Sequence, residues 1–273
     1  MRVYISVDME GVAGVVHGDQ CRRGKQDYPR AADLMTQEAN AAALGAFDAG
    51  ASEVLINDSH GDMRNLLLDR LDSRVQVLTG NLKQFSMAEG TQEHHDVALF
   101  VGYHGGAGTT HAILDHTYRG AVVSSVRLGG QTVNEAALNA WVAGVSGTPV
   151  GLVTGDENTC KQCKALLPGV HTVTVKWAVG RLAARSLHPE RARALIREGA
   201  AWVVRDPSRY QVFAREPPHV LEVDVMTTAQ ADAASLMPLV ERTGPRTLRL
   251  EHDDVLTVFR GMLAIVKLGG TAS

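Results

Sequence analysis

The chain has 273 residues; 45% are hydrophobic but only 5% aromatic, so a core must be built mostly from Val, Leu and Ala. The formal net charge is -3, from 27 basic and 30 acidic residues, a balance that gives no electrostatic basis for a nucleic-acid partner or for an anionic membrane surface. The length suits one large domain or two smaller ones. Residues 2–8 read as a buried strand, and 29–49 as an Ala-rich helix ending at Gly50. Further strands are predicted at 52–56, 75–79 and 97–102, the last running into Tyr103-His104-Gly105-Gly106. Residues 121–128 are strand-like, Gly129-Gly130 is a hairpin turn, 134–145 is a helix and 148–154 another apolar strand.

Strands alternating with helices predict an α/β fold, a mostly parallel sheet flanked by helices. The polar clusters fall at the carboxyl ends of the strands, where open α/β sheets place their ligands. Beyond about residue 165 the pattern changes. Helices at 188–204, 229–237 and 254–268 mix with strands at 218–225 and 247–251. The expected organisation is an α/β metal-binding catalytic domain at 1–165. A smaller α+β domain at 166–273 would act as a lid, an oligomer contact, or both.

Cys21, Cys160 and Cys163 are an odd, low count with no signal-peptide pattern, which predicts a cytoplasmic protein. No stretch reads as about 18 apolar residues, so no membrane span is expected.

Ser6-Val7-Asp8-Met9-Glu10 closes the first strand. Residues two apart in a strand share a face, so Asp8 and Glu10 should converge, and two such anions need a cation between them. His60 in Asn57-Asp58-Ser59-His60-Gly61, His104 after a strand and Glu135 at a helix start complete a candidate ligand set. Each alone has a plainer reading: a turn residue, a core histidine, a capping carboxylate. Together, two imidazoles and three carboxylates exceed what one catalytic zinc takes and suit two ions, with Asp8 as the bridge. His116 and His111 follow on a loop, and either could shuttle a proton. Asp115 stands beside His116, where it could raise the imidazole's basicity.

Other signals carry less. Gly102-Tyr103-His104-Gly105-Gly106-Ala107-Gly108 lacks a phosphate-loop ending; its glycines are expected to let backbone approach a substrate, or to aim N–H groups at an oxyanion. Cys160 and Cys163 have C-x-x-C spacing without a second pair, which favours structural cysteines. No Gly-x-Ser-x-Gly is present.

Ser6-Val7-Asp8-Met9-Glu10-Gly11, Asn57-Asp58-Ser59-His60, Gly102-Tyr103-His104 and 133–140 (VNEAALNA) together resemble, in order, the DppA-type D-aminopeptidases, dinuclear zinc peptidases of dipeptide-transport operons. Similarity at 83–90 and 235–238 extends the resemblance over nearly the whole chain. It implies that Asp8, Glu10, His60, His104 and Glu135 hold two zinc ions, with manganese or cobalt as alternatives. It also implies that His116 is the catalytic histidine. The interval from His104 is one residue longer here than in that family, which keeps His111 as a rival. The expected substrate is a short peptide with a free N-terminus, D-alanyl peptides by resemblance, and the expected assembly a homo-oligomer, a ring-stacked decamer in that family. Two alternatives stand beside this: a dinuclear metallohydrolase of other amides, and a non-catalytic peptide-binding accessory of a transporter.

Overall fold

The computed structural model describes residues 1–272. Strand β1 (Arg2–Val7) is followed by α1 (Tyr28–Asp48), β2 (Glu53–Asp58), β3 (Gln76–Leu78) and β4 (Val97–Tyr103). Pro29 sits in the first turn of α1, where its missing N–H costs nothing, and Gly50, at φ +93°, lets the chain leave. Next come β5 (Val123–Leu128), β6 (Gln131–Thr132), α2 (Glu135–Gly144), β7 (Val150–Asp156) and α3 (Glu157–Leu166). The Asn134 side chain accepts from Ala137 N–H to start α2, and Asp156 caps α3 in the same way. Then follow β8 (His171–Gly180), β9 (Ala183–Ser186), α4 (Pro189–Arg205) and β10 (His219–Val225). The described chain closes with α5 (Thr228–Ala234), β11 (Val240–Arg242), β12 (Thr247–His252) and α6 (Val255–Gly269).

The larger sheet has the order β3-β2-β1-β4-β7-β8-β9 and is parallel except at β9. Every residue of β4 and β7 is buried, as expected of central parallel strands covered on both faces. Helices α1 and α4 cover one face and touch closely: a Cβ on Gly45 would lie 2.3 Å from Arg197 O. From β1 the chain moves outward to β2 and β3, then crosses back to β4 on the other side of β1. The crevice beyond the carboxyl ends of β1 and β4 is thus a topological switch point.

The smaller sheet is antiparallel, in the order β11-β12-β10-β5-β6. Along β10, His219, Leu221, Val223 and Val225 alternate inward, and Phe259, Met262 and Ile265 of α6 join the same core. The expected boundary near residue 165 does not follow the sheets. Strands β8 and β9 extend the larger sheet, whereas β5 and β6 leave it to pair with β10. The reason is pairing: β5 is antiparallel to β10 from Leu221 to Val225, a partner no local pattern reveals. Strands β8, β9 and β11 were not expected at all. A second expectation needs correcting. Val255–Ala272 is 18 residues and, by length and composition alone, apolar enough to cross a membrane; Val258, Phe259 and Met262 are buried in the core.

Candidate metal centre

Strands β1, β2 and β4 end side by side, and each delivers a ligand-type residue to one spot. Pairing with β4 continues one residue past β1, where Asp8 N–H donates to Val101 O at 2.8 Å. The chain then turns, with Gly11 N–H donating to Gly102 O at 2.8 Å. Glu10 is therefore placed by a turn, and not by the strand alternation expected from its spacing to Asp8. Glycine is required on both sides of this crossing. A Cβ on Gly11 would lie 2.0 Å from Tyr103 O, and one on Gly102, at φ +69°, 2.3 Å from Asp8 O.

His60 follows β2 on a turn held from below: Asn65 Nδ2 donates to His60 O at 2.7 Å and to Asp58 Oδ1 at 2.8 Å. His104 follows β4 directly. Glu135 opens α2, and its Oε1 accepts from Tyr118 N–H at 2.6 Å. All five expected ligands are brought together, and none is more than 7% exposed.

The cage has two halves. His60 Nδ1 lies 3.2 Å from Asp8 Oδ1 and 3.0 Å from Glu10 Oε2. His104 Nε2 lies 3.3 Å from Asp8 Oδ2 and 3.4 Å from Glu135 Oε1. Asp8 thus offers one oxygen to each half. The opposite ring nitrogen of each histidine is tied to backbone: His60 Nε2–H donates to Cys21 O at 2.8 Å, and His104 Nδ1–H to Gly105 O at 3.0 Å. A histidine so anchored turns its free nitrogen toward a ligand site in a fixed tautomer.

The electrostatics ask for positive charge. Burial, and then the Glu10 carboxylate, push Asp8 up to about 7. Burial works to lower His104, but the Glu135 carboxylate overcomes it and holds the imidazole up at about 10. Asp8 Oδ2 is buried and makes no hydrogen bond among the described residues. A buried carboxylate oxygen is costly to leave unpaired, and a divalent cation between the two halves would satisfy it. The donor set of imidazole nitrogen and carboxylate oxygen fits zinc. Two triads, His104 with His116 and Glu135, and Asp8 with Glu10 and His104, each have ligand atoms within 4.8 Å of one another.

His116 lines a cavity of about 630 Å3 together with Asp8, Glu10, His60 and Glu135. The His116 ring stacks on that of His104 with centroids 4.0 Å apart. Nδ1–H donates to Leu114 O at 2.8 Å, which leaves Nε2 with its lone pair. Burial, with the neighbouring His104, lowers its pKa. Asp115 is not its partner, contrary to expectation, because that carboxylate pairs with Arg181 at 2.7 Å. His111 is exposed, with its carbonyl held by Asn158, and does not line the cavity. The Gly105-Gly106 glycines also depart from expectation. They allow tight packing against Ala112 and Asn134, and Gly106 N–H is already engaged by Gln162. Cys160 and Cys163 are free and buried, in keeping with a structural role.

Sequence reasoning missed what grips the turn after β1. Lys176 of β8 is fully buried and donates Nζ to Val12 O at 2.9 Å, to Val15 O at 2.6 Å and to Glu10 O. From the other side, Glu38 of α1 accepts from Ala13 N–H at 2.9 Å. Burial lowers Lys176 to about 8 and raises Glu38 to about 7. Lys176→Met leaves those carbonyls unpaired, and is expected to lower the unfolding free energy by about 3 kcal/mol in denaturant titration. A change under about 0.5 kcal/mol would show that the clamp is not needed.

A cage of carboxylate and imidazole at the carboxyl ends of a parallel sheet is the equipment of a metal-dependent hydrolase. The chain belongs to the D-aminopeptidase family, whose model matches residues 1–264. It is 35% identical over 272 residues to the D-aminopeptidase of Bacillus subtilis (strain 168), covering 98% of this chain and 97% of that one. Among solved structures it is similar to the Zn-dependent D-aminopeptidase DppA from Bacillus subtilis, described as a self-compartmentalizing protease. That match has a TM-score of 0.96 and 34% identity, over 100% of this chain and 99% of the other.

Proposed function

We propose that this chain is a zinc-dependent aminopeptidase that releases N-terminal residues, D-alanine among them, from short peptides and amides. The observation that carries the reading is the division of Asp8 between two histidine–carboxylate pairs. In this reading two zinc ions are held per chain: Asp8, Glu10 and His60 would take one, and Asp8, His104 and Glu135 the other. Manganese or cobalt would suit the same oxygen-rich set. Bound zinc supplies Lewis acidity toward the peptide carbonyl and a nucleophile at neutral pH.

The chain's own contribution is proton handling and exclusion of water. The free lone pair of His116 Nε2 takes a proton as water attacks the carbonyl carbon, then delivers it to the leaving amine nitrogen. The Leu114 carbonyl fixes the tautomer through both steps. A zinc-loaded cage would take a neutral α-amine as a nitrogen ligand, which would place the N-terminal residue of the substrate over the cage.

We also propose a homo-oligomer, with a ring-stacked decamer as its form. Leu82 and Leu182 support this: they are 78% and 50% exposed at the rims of cavities next to the cage, an apolar exposure that another copy would cover. In the same reading α6 and the smaller sheet serve as the lid or contact surface. Three free thiols support a cytoplasmic location.

The test is amine release from D- and L-alanyl dipeptides and alaninamides, using zinc-loaded protein with and without a chelator. Chelator-sensitive cleavage of the D-substrates is expected. Cleavage confined to L-substrates would overturn the stereochemistry alone. Turnover only of acylated amides without a free amine would replace the aminopeptidase by an amide hydrolase. Tight peptide binding with no cleavage would leave a binding accessory.

A further inference from the structure

The cavity over the cage has a neighbour of opposite character. A second cavity, of about 520 Å3, shares Gly61, Met63, Ser86 and Tyr118 with the first, so the two adjoin. No Asp or Glu lines it among the described residues, whereas Lys83, Arg119, Arg260 and Lys267 do. Lys83 is already committed, donating Nζ to Asn57 Oδ1 at 2.6 Å and to Asp58 O at 2.8 Å. The other three make no ion pair among the described residues. Arg260 donates Nε to Leu256 O at 3.2 Å and lies 5.9 Å from the Phe85 ring centroid. Arg119 packs against the Gly270 backbone. Arginines elsewhere on this surface are commonly paired with carboxylates, as Arg2, Arg64 and Arg197 are.

The backbone connects the two regions directly. Tyr118 N–H holds Glu135 in the cage, and the next residue is Arg119 in the basic cavity. Along α6, Arg260 and Lys267 are seven residues apart and so share a helix face, with Leu263 and Ala264 as apolar floor between them. One end of the combined cleft is thus the carboxylate–imidazole cage, and the other a cationic pocket with no Asp or Glu in its lining among the described residues.

We infer that this basic cavity is a subsite for the C-terminal carboxylate of a short peptide whose N-terminal residue lies over the cage. The inference rests on the peptidase reading and sharpens its substrate class. A short free peptide offers an α-amine to the zinc-loaded cage at one end and a carboxylate to the cationic pocket at the other. The guanidinium fork suits a carboxylate better than a neutral amide does. Free dipeptides and other short peptides are selected over amidated peptides and over internal segments of proteins.

The experiment compares kcat/KM for D-alanyl-D-alanine with kcat/KM for D-alaninamide, which has no carboxylate. It uses zinc-loaded wild type, the Arg260→Gln/Lys267→Gln double variant and Arg260→Glu. The ratio of peptide to amide is expected to fall about tenfold in the double variant and further on charge reversal, through KM. Added salt should lower the same ratio in wild type. An unchanged ratio in both variants overturns the subsite and leaves the peptidase standing. An equal loss on both substrates also overturns it, because it marks a structural role. If wild type cleaves neither substrate, the peptidase reading fails and the subsite falls with it.

Discussion

Asp8→Asn is expected to empty both halves of the cage and to lower kcat/KM about a thousandfold or more. The magnitude follows from the position of Asp8 between the two histidines, with one oxygen 3.2 Å from His60 and the other 3.3 Å from His104. An amide at this position offers one oxygen and no charge, so it cannot serve both halves. Metal content by atomic emission should fall with activity. The same substitution should act in the opposite sense on the metal-free fold. There, Asp8 is a buried carboxylate beside Glu10, its Oδ2 without a hydrogen bond among the described residues, and removing like charge from such a cluster relieves the fold. The chelated variant should therefore melt no lower than chelated wild type. A variant that keeps two metals, or that unfolds earlier without them, would contradict this account.

His116→Ala is the second large effect. It should retain both zinc ions and lose turnover by roughly a hundred- to ten-thousandfold, the usual weight of a positioned general acid–base. The stacking on His104 is lost, but the His104 tautomer is set by Gly105 O and not by His116, so metal binding should survive. His111→Ala should stay near wild-type turnover, because that side chain is exposed and outside the cavity. Near-normal turnover in His116→Ala, with loss in His111→Ala, would reverse the assignment.

Asp8, Glu10, His60 and His104 were legible because they follow strands of the parallel sheet, a place defined by local sequence, and Glu135 because it opens a helix just after a capping Asn134. The route by which Glu10 arrives was not legible. Its spacing to Asp8 suggests an extended strand, but the turn depends on how closely Gly11 and Gly102 pass each other. Lys176 and Glu38 were invisible for a related reason. A lysine in a strand and a glutamate in an Ala-rich helix both read as solvent-facing until packing buries them against one turn. Strand existence was readable for β5 and β10, and their partnership was not, since register between distant segments is set by the burial each sheet achieves. Asp115 shows the limit of adjacency: next to His116 in sequence, it turns away to Arg181.

The exchange of strands between the two sheets also constrains how the molecule can be made and cut. As the chain leaves the ribosome, the β5–β6 hairpin appears long before β10, the strand that covers its other edge. Until then Val123, Val126 and Leu128, all buried in the finished protein, have no sheet to join. A truncation after residue 165, the cut that the change in sequence pattern invites, would strip the larger sheet of β8 and β9 and strand the hairpin alone. It would also remove Lys176, and with it the grip on the turn that carries Glu10. An N-terminal fragment ending at residue 165 is therefore expected not to fold to a working cage, even though every cage residue lies within the first 135 positions.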